Sequence, residues 1–172
     1  MKWLAIALGT FAGLAALIAI IGALRPADHV ASIAVRVDRP RTEVWAVVTD
    51  FTAVPQWFSE VASSERIADI DGRPAWRERF TGFNATLVER ERTEGARIVR
   101  EVLPSGSFSG TWTYELADDG AGTRLTLTER GHVGNPFFRG MMILFDNTKT
   151  MRAYTEALTR RLGTTAEVIV TP

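Results

Sequence analysis

The sequence predicts an α+β protein: a curved antiparallel sheet of about six to seven strands around a long C-terminal helix, preceded by one transmembrane helix. Three observations predict it. Residues 3–24 carry no charge and are bracketed by Lys2 and Arg25. Between Val61 and Val133, segments rich in Thr, Val, Ile, Phe and Trp are separated by glycine-containing turns. From Asn135 to Leu162, apolar residues recur at helical spacing.

The uncharged segment comes first. At about 1.5 Å per residue, its helix would span roughly 33 Å, enough to cross a bilayer's hydrocarbon core. Its Leu, Ile and Phe residues favour insertion by about 3–6 kcal/mol in total, with no charged residue to oppose them. The run exceeds the ~7–15 residues of a signal-peptide core, and no small-x-small cleavage site follows Ala23. An uncleaved single-pass anchor over residues 1–25 is therefore expected, touching the bilayer through residues 3–24. The side of the membrane stays open, because two criteria disagree. Arg25, Arg36, Arg39 and Arg41 follow the helix and favour a cytoplasmic domain, whereas a short basic leader suits a signal-anchor with the domain outside. Gly9 and Gly13 form a GxxxG spacing, a pattern that pairs helices in membranes but also arises by chance in Ala/Gly-rich segments.

Removing this segment leaves one ordinary domain of nearly neutral charge. No basic run offers nucleic acid an electrostatic handle. There is no cysteine, which excludes disulfides, thiolate nucleophiles and Cys-based metal sites. His29 and His132 are the only imidazoles, too few for a His-rich metal cluster. No metal and no cofactor are expected.

Residues 26–29 read as a linker, opened by the helix-stopping Arg25-Pro26. The domain spans residues 30–163, beginning with an alternating strand to Val37. Asp38-Arg39-Pro40-Arg41-Thr42-Glu43 reads as a helix start, with Pro and acid at the first turn. Val44, Trp45, Val47 and Val48 give that helix its buried stripe, and Pro55 marks a turn region before a second short helical segment around Trp57 and Phe58. The turns Asp71-Gly72, Thr81-Gly82, Glu94-Gly95, Pro104-Ser105-Gly106 and Asp118-Asp119-Gly120 then punctuate a meander of about six strands. Asn135-Pro136 opens a helix expected to run unbroken to Leu162, with Gly163 at its stop. The tail, residues 164–172, is either frayed or a small added strand. A curved sheet needs an apolar partner for its concave face, and one helix is the economical choice.

The stretches Val37–Trp57 ("VDRPRTEVWAVVTDFTAVPQW") and Gly122–Gly131 ("GTRLTLTERG"), with the amphipathic helix opened by Asn135-Pro136, carry a resemblance. From about His29 to Gly163 the chain resembles the SRPBCC superfamily: START-type lipid-binding, birch-pollen-allergen-like and polyketide cyclase/dehydrase-like proteins. The resemblance implies a helix-grip fold with a hydrophobic cavity between sheet and helix, and a lipid-like or other hydrophobic small molecule as partner. A minority of such proteins catalyse cyclisation or dehydration.

Strand alternation indicates which side chains would line such a cavity. Phe108, Trp112, Tyr114 and Leu116 share one parity, as do Leu125, Leu127 and Glu129, and as do Trp76, Glu78 and Phe80. Two carboxylates thus fall on interior faces, where each needs a partner or water. Either they reach the rim or an Arg, or they anchor a ligand hydroxyl, or one transfers a proton. His132 reads as a loop residue. Trp57 and Phe58 occupy a loop that closes the cavity in the resembling family, and Phe137, Met141, Leu144 and Phe145 supply the helix side of either a cavity or a solid core. The expected ligand-binding set is these residues with Trp76, Glu78, Phe80, Phe108, Trp112, Tyr114, Leu127 and Glu129. No catalytic residue is assigned. Three functions follow: a membrane-anchored carrier or sensor of a hydrophobic molecule, a cyclase/dehydrase-type enzyme using Glu78, Glu129, Tyr114 or His132, and a tethered interaction module with a collapsed cavity.

Overall fold

The computed structural model describes residues 2–142, 146 and 148–169. Lys2–Ala23 form helix α1, which is apolar on all sides and long enough to cross a membrane. Strand β1 (Asp28–Val37) follows, then helix α2 (Arg41–Thr49) with Pro40 at its N-cap. Asp50 starts a 3₁₀ turn over Phe51–Gln56, accepting a hydrogen bond from the Ala53 N–H at 3.2 Å. That bond satisfies a helix-start donor and turns the chain toward the sheet.

Six consecutive strands form the meander: β2 (Val61–Ile70), β3 (Arg73–Phe80), β4 (Phe83–Thr93), β5 (Arg97–Ser105), β6 (Phe108–Asp119) and β7 (Gly122–Val133). The expected turns are where they were read. Gly72, Gly82, Gly95, Gly106 and Gly120 all have positive φ, the conformation tight hairpins demand. Strand β1 closes the far side of β7, and the tail contributes a short edge strand, β8 (Ala166–Ile169), on β1. The spatial order is β2-β3-β4-β5-β6-β7-β1-β8. His132 lies on β7 opposite Asp28, not in a loop, because β7 runs two residues further than its apolar alternation. Its Nδ1 is 2.7 Å from the Asp28 carboxylate, in the open.

The C-terminal helix differs from expectation. The structure has a short helix α3 (Pro136–Met141) and a separate helix α4 (Lys149–Leu162). Asn135 caps α3 by accepting from the Phe137 N–H at 2.8 Å, as read. Before α4, however, the Asp146 carboxylate accepts from both the N–H (2.8 Å) and the hydroxyl (2.7 Å) of Thr148. Such a side-chain bond offers the backbone an alternative to helix, and a new helix starts after it. The apolar spacing continues across the interruption, so periodicity alone did not show it. The two helices then pack on different partners: α3 lies on α1, and α4 covers the sheet.

The core sits between α4, α2 and the concave face. Met151 and Leu158 of α4 are fully buried against Val35, Leu125 and Leu127, with Val44 and Val48 of α2. Trp45 is core, as its spacing indicated, and its Nε1–H reaches the Glu94 carboxylate at 2.6 Å. Gly163 ends α4 in the left-handed region (φ 61°), while Arg39 donates to the Leu162 (3.0 Å) and Gly163 (3.2 Å) carbonyls. Gly163→Ala forces a side chain into that conformation. It should lower the unfolding free energy by roughly 1 kcal/mol, measured by urea denaturation.

Candidate functional site

The concave face is not filled. Between β3–β6, the 3₁₀ turn and the start of α4 lies a cavity of about 440 Å³. Its apolar wall comes from Phe51, Val54, Phe58, Phe80, Phe83, Ala85, Leu87, Val102, Phe108 and Trp112. Period-two alternation on β3, β4, β5 and β6 aims these side chains to one side, and the far half of the concavity is closed by Tyr154 and the residues beyond it.

The polar part is compact. Glu78 and Arg100, each about 3% exposed, lie side by side with the Glu78 Oε1 accepting from an Arg100 Nη2–H at 2.7 Å. Ser64 donates weakly to the same oxygen at 3.4 Å. The guanidinium carbon stands 3.7 Å from the Phe51 ring centre, a cation–π contact on its open face. Tyr114 and Tyr154 pack beside this pair, ring centres 5.8 Å apart. Burial pushes the Tyr114 hydroxyl up to about 12 and raises Tyr154 well above its ordinary value, so both remain neutral donors. Among the described residues, the Arg100 Nε and the Tyr154 hydroxyl have no hydrogen-bond partner. A buried donor left unmet costs about 1–3 kcal/mol.

Glu129 stands on the wall nearer the open end. Its carboxylate is 3.5 Å from His29 Nε2 across the β1–β7 pair. Gly131 makes this possible, because a Cβ there would overlap the imidazole of His29. Burial raises the Glu129 carboxyl above its ordinary 4.5, and His29 opposes that shift.

Of the residues expected at the site, Phe58, Glu78, Phe80, Phe108, Trp112, Tyr114 and Glu129 line this cavity. Trp57 stands behind it, edge-on to Tyr154 at 5.1 Å. Trp76 is buried edge-on to Phe51 at 5.0 Å, and Leu127 is wholly buried in the core under α4; neither is part of the lining. Phe137 and Met141 belong to α3 and are likewise outside the lining, because α3 turns onto α1. Leu144 and Phe145 lie outside the described residues. Sequence reasoning missed Arg100, Tyr154, Phe51 and Phe83. Arg100 was legible: Ile98, Arg100 and Val102 share the parity that flagged Glu78, on the strand two away.

The comparisons follow from this geometry. Residues 28–167 match the family model described as polyketide cyclase / dehydrase and lipid transport. The chain belongs to that family. Among solved structures it is similar to a START superfamily protein from Mycobacterium smegmatis, at 20% identity and TM-score 0.62 over 78% of this chain and 97% of that one. It is also similar to the Zhui aromatase/cyclase from Streptomyces, at 17% identity and TM-score 0.65 over 79% and 94% of the two chains. A truncated norcoclaurine synthase from Thalictrum flavum gives 13% identity and TM-score 0.63 over 78% and 93%. No curated protein matches the chain in sequence. At these identities the likeness is one of fold, the helix-grip fold.

Two predictions follow from the buried charges. Arg100→Leu strands the Glu78 carboxylate in an apolar cavity and should cost about 3–5 kcal/mol of stability, whereas Glu78→Leu/Arg100→Leu together should recover most of it. Urea unfolding of the single and double variants checks this. For Glu129, the folded state binds its proton more tightly than the unfolded chain does, so stability declines as pH rises above about 4.5 through the raised value. The difference in unfolding free energy between wild type and Glu129→Gln should shift in that direction from pH about 4.5 to about 7, and a flat difference would contradict the assignment.

Proposed function

We propose that this family member is a membrane-anchored binding protein that carries or senses a hydrophobic, lipid-like small molecule, held in the cavity between sheet and C-terminal helix. The cavity carries the reading: about 440 Å³ of space walled by aromatic and aliphatic side chains, with one compact polar group. That volume lies within the ~300–1,000 Å³ of small-molecule sites. It also weighs against an interaction module with a collapsed interior. The polar group adds a preference. Arg100, Tyr114, Tyr154 and Glu129 put polar side chains on the lining, so the best ligand is an amphiphile whose polar end meets that part of the wall while its apolar part fills the rest. Helix α1 serves as the single-pass anchor, which keeps the cavity beside the bilayer where such ligands partition.

A second reading, a cyclase/dehydrase-type enzyme, draws on Glu129 beside His29. A carboxyl raised by burial and paired with an imidazole on a cavity wall is a proton-transfer arrangement. Loss of turnover in Glu129→Gln with ligand binding intact supports that reading.

Native mass spectrometry of the full chain, released from detergent in the gas phase, tests the binding function. Wild type should carry a discrete added mass that organic extraction identifies as an amphiphile. Ala85→Trp, which fills the cavity from β4, should lose it. An identical spectrum from both proteins would remove the cavity from the account.

A further inference from the structure

The open end of the cavity, α1 and α3 meet at one end of the sheet. Strand register shows which turns and strand ends lie there. Phe80 faces Phe83 across the β3–β4 turn, Ser105 faces Phe108 across the β5–β6 turn, Phe108 faces Val133, and Asp28 faces His132. The two turns, the end of β7 and the start of β1 therefore form a single rim. Backbone bonds tie it together: the Val133 N–H donates to the Ala27 carbonyl and the Gly134 N–H to the Ser107 carbonyl, both at 2.8 Å. Ala27 is four residues past the end of α1, so the apolar helix leaves the domain at this rim. The cavity residues Thr81, Phe83 and Phe108 stand on the same rim.

Helix α3 is locked to α1 at backbone distance. A Cβ on Gly22 would overlap the Pro136 carbonyl, and a Cβ on Gly140 would overlap the Ile18 carbonyl. Glycine at both positions is what lets the helices touch. The Gly9 and Gly13 spacing, by contrast, faces nothing within 4 Å. The crossing at Ile18–Gly22 lies within about 8 Å of the C-terminal end of α1, counted at ~1.5 Å per residue. A bilayer that accommodates α1 puts this level at the edge of its hydrocarbon core. The side chains held there have matching chemistry. Phe137 and Phe138 are 36% and 53% exposed, and Arg139 follows them. Phe83, 55% exposed, is stacked on Phe80 at 4.7 Å on the same rim. Exposed aromatics beside a cation are the composition of a segment seated in the headgroup layer.

We infer that α3 and the β3–β4 turn form a membrane-seated rim, so that the cavity exchanges its ligand directly with the bilayer that holds α1. This inference rests on the anchored-binder reading above. The occupant of the rim is a lipid surface, because α3 is continuous with α1 through the Gly22–Gly140 crossing and sits at the depth that crossing sets.

The chain has no cysteine, so single-cysteine labelling of the full protein is clean. An environment-sensitive fluorophore is placed at Phe138→Cys and Phe83→Cys on the rim, at Leu14→Cys in α1, and at Asp119→Cys at the opposite end of β6. Each protein is reconstituted in phosphatidylcholine/phosphatidylglycerol vesicles and quenched by doxyl-labelled lipid or by aqueous iodide. The rim and α1 labels should be quenched by doxyl lipid and largely shielded from iodide, with Asp119→Cys the reverse. Rim labels open to iodide while Leu14→Cys is quenched by lipid would overturn the membrane-seated rim and leave the anchor standing. If Leu14→Cys is open to iodide as well, the anchor reading falls and the rim with it. Rim labels shielded only in native membranes, and open in pure lipid, would assign the surface to a protein and overturn the proposal.

Discussion

One mismatch of length governs the molecule: the sheet is longer than the helix that covers it. Strands β6 and β7 have twelve residues each, about 40 Å at 3.3 Å per residue, while α4 has fourteen, about 21 Å. A helix of that length buries only half of the concave face. At the half beside Gly163, Leu158 and the α2 stripe make a dense core. At the other half no helix among the described residues is seated, and the space there is the cavity. Tyr154, one turn after Met151, stands at the border and belongs to both.

That border explains why a charged pair is tolerated inside. Glu78 and Arg100 stand on neighbouring parts of the concave wall, where the core has ended and both side chains are nonetheless almost wholly buried. Alone, either charge would carry a desolvation penalty of several kcal/mol; together at 2.7 Å, with Phe51 under the guanidinium, most of that is offset. The pair uses one side of each ion. What remains is an Arg100 Nε and a Tyr154 hydroxyl, both buried, with no partner among the described residues. On the proposed binding function, shape and oil-like character admit many ligands, so discrimination among them falls to the polar side chains of the lining.

The parts of this fold that were legible in the sequence are those written in local chemistry. Each hairpin glycine read from the sequence has the positive φ its turn requires, and strand parity placed Phe108, Trp112, Tyr114 and Glu78 on the concave wall. Parity does not distinguish cavity from core along one strand face, which is why Leu127 was expected at the site and lies instead under α4. Nor does periodicity reveal what a helix packs against. Phe137 and Met141 are at helical spacing from each other, as Tyr154 and Leu158 are, yet α3 and α4 are separate helices and α3 turns to α1. The signal for that turn was present in Gly22 and Gly140, but its meaning needs both helices in view. His29 was invisible for a related reason: its reach to Glu129 depends on the missing side chain of Gly131, on a different strand.

Under the proposed anchoring, placing α1 at the open end has an energetic logic. Moving an alkyl chain from bilayer into water costs about 0.8 kcal/mol per methylene, so ten methylenes cost about 8 kcal/mol. At 1.4 kcal/mol per decade, that is roughly six orders of magnitude in the equilibrium fraction free in water. A binding protein released into solution must wait for that fraction. A cavity whose rim touches the bilayer replaces the aqueous step with a transfer between two apolar surroundings, and the penalty contracts to the few groups that differ between them. Glycines at the α1–α3 crossing would then serve loading as well as packing. On that reading they bring the aromatic rim to the level of the lipid headgroups, and any larger residue there would push it away.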